Sequence, residues 1–262
     1  MSNLLVEKKA GVARITLNRP EVRNAFDDAL IGSLKSCFSE LGEDQSVRVV
    51  VLAGNGPAFC AGADLNWMKR MADYGYEENL ADARALADML AALDRLPKPT
   101  IARVHGPAFA GGTGLVAACD IAIGTPLAKF CFSEAKLGLS PATISPYVTR
   151  AIGARAARRY FLSAEVFDAA EACRIGLLSA CVSSSELDSS VAAIVRHLLA
   201  GGSEAHAKIK DLIRAVAGRA VTAALVADTA RRIAEIRVSP EGKEGIASFL
   251  EKRKPSWGPG EN

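Results

Sequence analysis

Residues 106–143 read GPAFAGGTGLVAACDIAIGTPLAKFCFSEAKLGLSPAT, and the rest of the chain is organised around them. The glycine cluster Gly111-Gly112-Thr113-Gly114 runs into the apolar LVAACDIAIG, and a lone carboxylate, Glu134, follows the alternating segment AKFCFS. Glycines permit close backbone approach. An acid at a strand end is placed to move protons. Together they predict a site made of backbone amides plus one acid/base. The cluster is neither G-x-G-x-x-G nor a Walker sequence, since no Lys-Ser/Thr follows, which argues against a dinucleotide or phosphate cradle. Two readings of the glycines stay open: tight packing of a helix on a strand, or N–H groups at a helix start that hold a developing oxyanion.

A second stretch has the same character. Ala61-Gly62-Ala63-Asp64 is a small-residue turn entering a helix, so it exposes unpaired N–H donors, and Ala63 sits where one of them points outward. Spacing alone makes Asp64 an N-cap. Glu134 has apolar neighbours, and burial among them would raise its pKa, as a general acid/base requires. His105, His197 and His206 are far apart in sequence, and none accompanies a nucleophile motif. Triad chemistry and metal binding are therefore not expected.

Outward from these stretches, residues 12–18 alternate as a half-buried strand, and Val47 to Ala53 is the β-branched run of a strand buried on both faces. Phe26, Leu30, Leu34, Cys37 and Leu41 fall on one helical face between them. A helix from about Glu77 to Leu96 is stopped by Pro97 and Pro99. Strands follow at Thr100–Val104, Ile121–Ile123 and Lys129–Ser133, with a short helix after the glycines. Helices are expected at Tyr147–Ile152, Ala154–Leu162, Ala169–Ile175 and Glu186–Ala200, then an all-helical tail from Ala205. Strands with interposed helices argue an α/β layer, and the tail argues an appendage or an oligomer contact. Gly258 to Asn262 are expected to be disordered.

The 262 residues are half apolar and 23% charged, the composition of a globular protein with a large core. The net charge of +3 is spread along the chain and leaves no basic stripe for nucleic acid or membrane. Six cysteines without a C-x-x-C read as reduced core thiols. With no apolar leader and no membrane-length apolar window, the expected location is the cytoplasm.

Taken together, ITLNRPEVRNAF, FCAGADLNWMKRM, ARVHGPAFAGGTGLVAACDIAI, FSEAKLGL, EACRIGLLSACV and FLEKRKPSW resemble the crotonase, or enoyl-CoA hydratase/isomerase, superfamily over nearly the whole chain. CAGADLNWMKRMADYGYEENLADARALADML and SPATISPYVTRAIG look most like bacterial 3-methylglutaconyl-CoA hydratases of leucine degradation and the related carboxygeranoyl-CoA hydratases. The resemblance implies an α/β fold, a ββα spiral over residues 1–200 with a helical C-terminal oligomerisation region over 201–262, assembled as a homotrimer or homohexamer. It implies an oxyanion hole from the Ala63 and Gly111 amides and acid/base chemistry at Glu134. Coenzyme A, as part of an acyl-CoA substrate and not as a bound cofactor, would lie along Val22, Arg23 and Ala25 and along Ala61, Asp64 and Leu65. Asn66, Met68, Gly112, Pro141 and Thr143 would complete the substrate site. Arg23, Lys69 and Lys254 would approach the CoA phosphates.

Two-glutamate hydratases of the superfamily place one acid in the glycine-cluster helix and the other at the Glu134 position. This chain has Gly114 at the first, a G-x-G-L that bacterial members of the methylglutaconyl subgroup often share. Hydration of a branched 2-enoyl-CoA leads. Isomerisation of a 3-enoyl-CoA, which needs only one carboxylate, is the alternative, and a non-catalytic CoA-ester or RNA-binding member is the third reading. Ser140, Thr143, Ser145 and Tyr147 are acyl-pocket candidates by proximity to Glu134.

Overall fold

The computed structural model describes residues 2–258; most of the tail expected to be disordered, 259–262, lies outside the described residues. Among the described residues, nine strands run in chain order: β1 (Leu4–Lys9), β2 (Val12–Leu17), β3 (Val49–Gly54), β4 (Thr100–Val104), β5 (Ala108–Phe109), β6 (Ile121–Gly124), β7 (Lys129–Cys131), β8 (Phe167–Asp168) and β9 (Ala180–Cys181). The helices are α1 (Asp28–Glu43), α2 (Leu65–Met71), α3 (Tyr76–Asp94), α4 (Gly111–Ala118), α5 (Ser145–Ser163), α6 (Ala169–Arg174), α7 (Leu187–Ala200), α8 (Ser203–Val216), α9 (Ala223–Val238) and α10 (Pro240–Leu250).

Six strands form one sheet in the order β1-β2-β3-β4-β6-β9, parallel throughout except for the antiparallel β1–β2 pair. Side-chain alternation along β3 explains why its sequence is apolar at every position. Val50 and Leu52 enter the main core with α1 and α3, while Val49 and Val51 face a second core closed by Leu187 and Val191 of α7. A smaller sheet, β5-β7-β8, carries the site. Phe130 and Phe132 anchor the chain leading to Glu134, with Phe130 stacked on Phe167 at 5.5 Å and Phe132 edge-on to Phe161 at 4.8 Å.

Several expectations are corrected. Phe26 does not belong to α1; it precedes the Asp27 cap and pairs in a parallel bridge with Ala63. The two helices expected between Tyr147 and Leu162 are one run, α5, kinked at Gly153, whose φ of 73° no helix accommodates. Strands β1, β5, β8 and β9 went unforeseen. Three of them are two residues long, too short for any periodicity to register. Cys181 is exposed, where a core thiol was expected; Cys37, Cys60 and Cys131 are buried, and none of the six is in a disulfide.

A buried charge helps fasten the helical tail to the core. Lys210 of α8, 8% exposed, donates to Asp120 at 2.6 Å and to the Lys98 carbonyl at 3.1 Å. The same Asp120 oxygen accepts from the Thr100 amide and hydroxyl. Elsewhere α9 and α10 leave Val226, Val238, Phe249 and Leu250 exposed. Among the described residues, no helix is long and apolar enough to cross a membrane. Lys210 is buried while Asp120 is partly exposed, so removing the carboxylate leaves the ammonium buried with only the Lys98 carbonyl. Asp120→Ala should therefore lower stability by about 1–3 kcal/mol, seen as a reduced thermal midpoint. Lys210→Met, which removes the buried charge itself, should cost clearly less; equal losses would show that the stranded ammonium is not the cause.

Candidate active site

The site residues reach one place because three chain segments run parallel in matched register. Cys60 bridges Ala108, and Ala108 and Phe109 pair with Phe130 and Cys131. Ala63 lies three residues beyond Cys60, Gly111 three beyond its partner Ala108, and Glu134 four beyond Phe130, which pairs with Ala108. All three stand past the C-terminal ends of neighbouring parallel segments, where α/β sheets gather their ligands.

In a parallel bridge, one residue bonds to the neighbours on either side of its partner. Phe26 donates to the Gly62 carbonyl at 2.7 Å and accepts from the Asp64 amide at 2.7 Å, so Ala63 is passed over. Gly111 opens α4, where no preceding turn supplies an acceptor. Among the described residues, neither the Ala63 nor the Gly111 amide donates a hydrogen bond. Each is aimed by a left-handed residue before it: Gly62 at φ +92° and Ala110 at φ +47°, ψ −118°. The latter conformation is strained for a residue with a Cβ. The two turns touch: a Cβ on Gly62 would lie 3.2 Å from both the Ala110 Cβ and the Phe109 carbonyl oxygen.

The glycines of α4 serve close approach. A Cβ on Gly111 would come within 2.8 Å of the Phe26 ring, one on Gly112 within 2.4 Å of the Cys60 oxygen, and one on Gly114 within 2.3 Å of Ile144 Cγ2. The packing reading of the cluster holds, and the same packing leaves the Gly111 amide undonated at the helix start.

Glu134 sits in a 3-10 turn, Ser133–Leu137, closed by Gly138 at φ +71°. Its Oε2 is buried and has no partner among the described residues. Burial pushes its carboxyl above the usual range, only partly offset by its own backbone amide. A free carboxylate held in low dielectric gains from taking a proton.

Next to Ala63 a cavity of about 480 Å³ is lined by Val22, Arg23, Ala25, Ala61, Ala63, Asp64, Leu65, Asn66, Lys69 and Glu21. It therefore gathers most of the anticipated CoA-binding positions, including the basic Arg23 and Lys69. Met68 and Lys254 do not line it, and neither do Gly112, Pro141 or Thr143. Asp64 contributes from behind: Oδ1 accepts from the Asn66 amide at 2.8 Å and Oδ2 from Arg19 at 3.0 Å. Burial alone would raise its carboxyl, but the Asn66 and Trp67 amides and the Arg19 guanidinium outweigh it and hold the pKa below the usual carboxylate range. Asp64 is the helix cap that its spacing announced. Of the acyl-pocket candidates, Ser140 is exposed, Ser145 is bonded to the Ala142 carbonyl, and Tyr147 lies under Arg150.

Two supporting residues escaped sequence reasoning. Asn24, fully buried at φ +57°, donates to the carbonyls of Asn55, Ala58 and Phe59 and accepts from the Arg19 amide, tying the 22–25 loop to the turn before Ala61. Arg19 adds a bond to the Ala25 carbonyl and a salt bridge to Asp27. The signal was present in NRPEVRN, where an arginine and an asparagine flank a turn-forming proline.

Two free amides beside one buried carboxyl form the arrangement an enzyme needs to polarise a carbonyl and move a proton next to it. A family model described as enoyl-CoA hydratase/isomerase matches residues 7–260. The solved structure of an enoyl-CoA hydratase from Shewanella pealeana superimposes with a TM-score of 0.95 at 42% identity, over 98% of this chain and 96% of that one. One from Mycobacterium smegmatis gives 0.91 at 37% identity, over 98% and 99%. Enoyl-CoA hydratase AKT6-1 of Alternaria alternata is 34% identical over 252 residues, covering 95% of this chain and 82% of its own length. The chain belongs to the enoyl-CoA hydratase/isomerase family and has the crotonase fold.

Gly62→Ala should twist the Ala63 amide out of line, since φ +92° disfavours any side chain and Ala110 blocks the Cβ. Loss of one oxyanion donor costs about 10²–10³ in kcat. A fall of that order in turnover of an enoyl-CoA ester, with unchanged circular dichroism, is expected. Gly218→Ala, also at positive φ (69°) but with nothing within 4 Å, should leave kcat unaltered.

Proposed function

We propose that the protein hydrates and dehydrates a branched 2-enoyl-CoA thioester, with 3-methylglutaconyl-CoA as the leading substrate. The observation that carries the chemistry is the unpartnered, buried Oε2 of Glu134 at the same strand ends as two undonated amides. The branched dicarboxylic acyl group rests on the sequence resemblance of the α2–α3 and 140–153 segments alone.

The thioester oxygen accepts from the Ala63 and Gly111 amides. They stabilise the charge that builds there as the carbonyl becomes enolate-like, without reorganising at the moment of reaction. The Glu134 carboxylate takes a proton from water as the water oxygen bonds to C3, then returns a proton to C2 on the same face, giving syn addition. No redox step arises, so coenzyme A enters only as part of the substrate. Arg23 and Lys69, at the cavity mouth, meet its phosphates. Assembly as a homotrimer or homohexamer through α8–α10 is supported by the exposed Phe249 and Leu250. The unpaired cysteines fit a cytoplasmic location.

Isomerisation is the second reading, favoured by the absence of a carboxylate on α4: Glu134 would take a proton from C2 of a 3-enoyl-CoA and return it to C4 as the double bond moves from C3–C4 to C2–C3. Steady-state assays on 3-methylglutaconyl-CoA, crotonyl-CoA and a 3-enoyl-CoA separate the two. Preference for the first supports the proposal, and conversion of the 3-enoyl ester alone sinks it.

Glu134→Gln should lower kcat by about 10²–10⁴. It should also raise the thermal midpoint at neutral pH. A carboxyl whose folded pKa is raised contributes its stability below the unfolded pKa and loses it as pH rises through the folded value. The gain from Glu134→Gln should accordingly fade as the pH is lowered through the ordinary glutamate range. Normal turnover in this variant would remove Glu134 from the mechanism.

A further inference from the structure

Gly114 and Ile144 touch in a way that bears on how many acids the site can hold. Gly114 lies three residues after Gly111 in α4, so both project from the same helical face. Helical Cβ bonds tilt toward the N-terminus, and here that direction is toward the free Gly111 amide. A side chain at 114 would thus point at the catalytic end of the helix. Ile144 occupies that direction. Its Cγ2 would be 2.3 Å and its Cβ 2.9 Å from a Cβ on Gly114, while its Cα would be 3.9 Å away. Ile144 itself is 1% exposed, at the start of α5, inside the main core. A rotamer change relieves the Cγ2 contact alone, but the Cβ contact is fixed to the backbone.

We propose that Ile144 is a positioning residue that closes position 114 to any side chain, committing the site to Glu134 as its one carboxylate. It acts through Glu134. By filling the space with hydrocarbon it keeps a second negative charge away from Glu134, which therefore titrates alone. Two carboxylates sharing the site would titrate as a coupled pair. This deepens the functional reading above and rests on it for the role of Glu134, but its steric part does not.

A thermal cycle tests the steric part without substrate. An exposed or unobstructed helical Gly→Ala substitution is stabilising by propensity. Against Ile144, Gly114→Ala should instead lower the thermal midpoint. It should still do so in an Ile144→Ala background, where the 2.9 Å Cβ contact persists, and should become stabilising in an Ile144→Gly background, where only the Cα at 3.9 Å remains. Gly114→Ala stabilising the unaltered protein, or behaving alike in all three backgrounds, would overturn the proposal.

The second arm uses kcat/KM against pH on an enoyl-CoA ester. The parent should show a single acid-side ionisation. Ile144→Gly combined with Gly114→Glu should fold and show a displaced, two-step acid limb, whereas Gly114→Glu alone should be poorly folded. A folded double variant whose limb matches the parent's, or a single Gly114→Glu variant as stable as the double, would overturn it. Failure of the Glu134 assignment would appear separately, as full activity in Glu134→Gln, and would leave the thermal cycle unchanged.

Discussion

A parallel bridge spends one residue's hydrogen bonds on the two neighbours of its partner and leaves the partner itself unbonded on that side. The bridge between Phe26 and Ala63 does this to the Ala63 amide, and everything else at the site serves to hold that geometry. The Cys60–Ala108 bridge sets α4 beside it, and the β5–β7 pairing sets Glu134 beside α4. The three functional groups come from segments far apart in sequence but share one register across a sheet edge. Slipping any of these short pairings by a residue would turn its functional group away.

Short pairings alone are weak, so the register is reinforced from outside. Asn24 gathers three carbonyls, and Arg19 joins the Ala25 carbonyl, Asp27 and Asp64, so the loop lining the cavity is tied to the turn bearing Ala63. The glycines of α4 allow the helix to approach Cys60 and Phe26 more closely than any side chain permits. Behind them lies the large sheet, covered on both faces, a base stiff enough to carry strain at Ala110 and an unpartnered acid at Glu134. Undonated amides and a buried carboxyl are unfavourable features in a folded chain. They persist because the surrounding packing over-determines them.

Much of this was legible in the residues. The β-branched run at Val47 to Ala53, the helix stops at Pro97 and Pro99, the strand at Thr100–Val104 and the Asp64 cap all follow from local chemistry, and the structure has each of them. The small-residue turns at Ala61–Ala63 and Gly111–Gly114 marked themselves as places of close backbone approach, and Glu134 as an acid among apolar neighbours. Composition and periodicity report such features because each depends on residues within a few positions of one another.

What only the tertiary structure decided depends on contacts between distant segments. Phe26 reads as helical by spacing but forms a bridge, because pairing with Ala63 offers its backbone bonds that the helix start does not. No local pattern shows that Asn24 is a fully buried hub, that Lys210 reaches across to Asp120, or that Met68 is not among the residues lining the cavity. Nor could the chain alone reveal that Ile144, thirty positions on, fills the space beside Gly114. The residue types and their local turns belong to the sequence. Which amides remain undonated, which carboxyl remains unpartnered and which volume is closed belong to the fold, because each is set by what a second segment brings within a few ångströms.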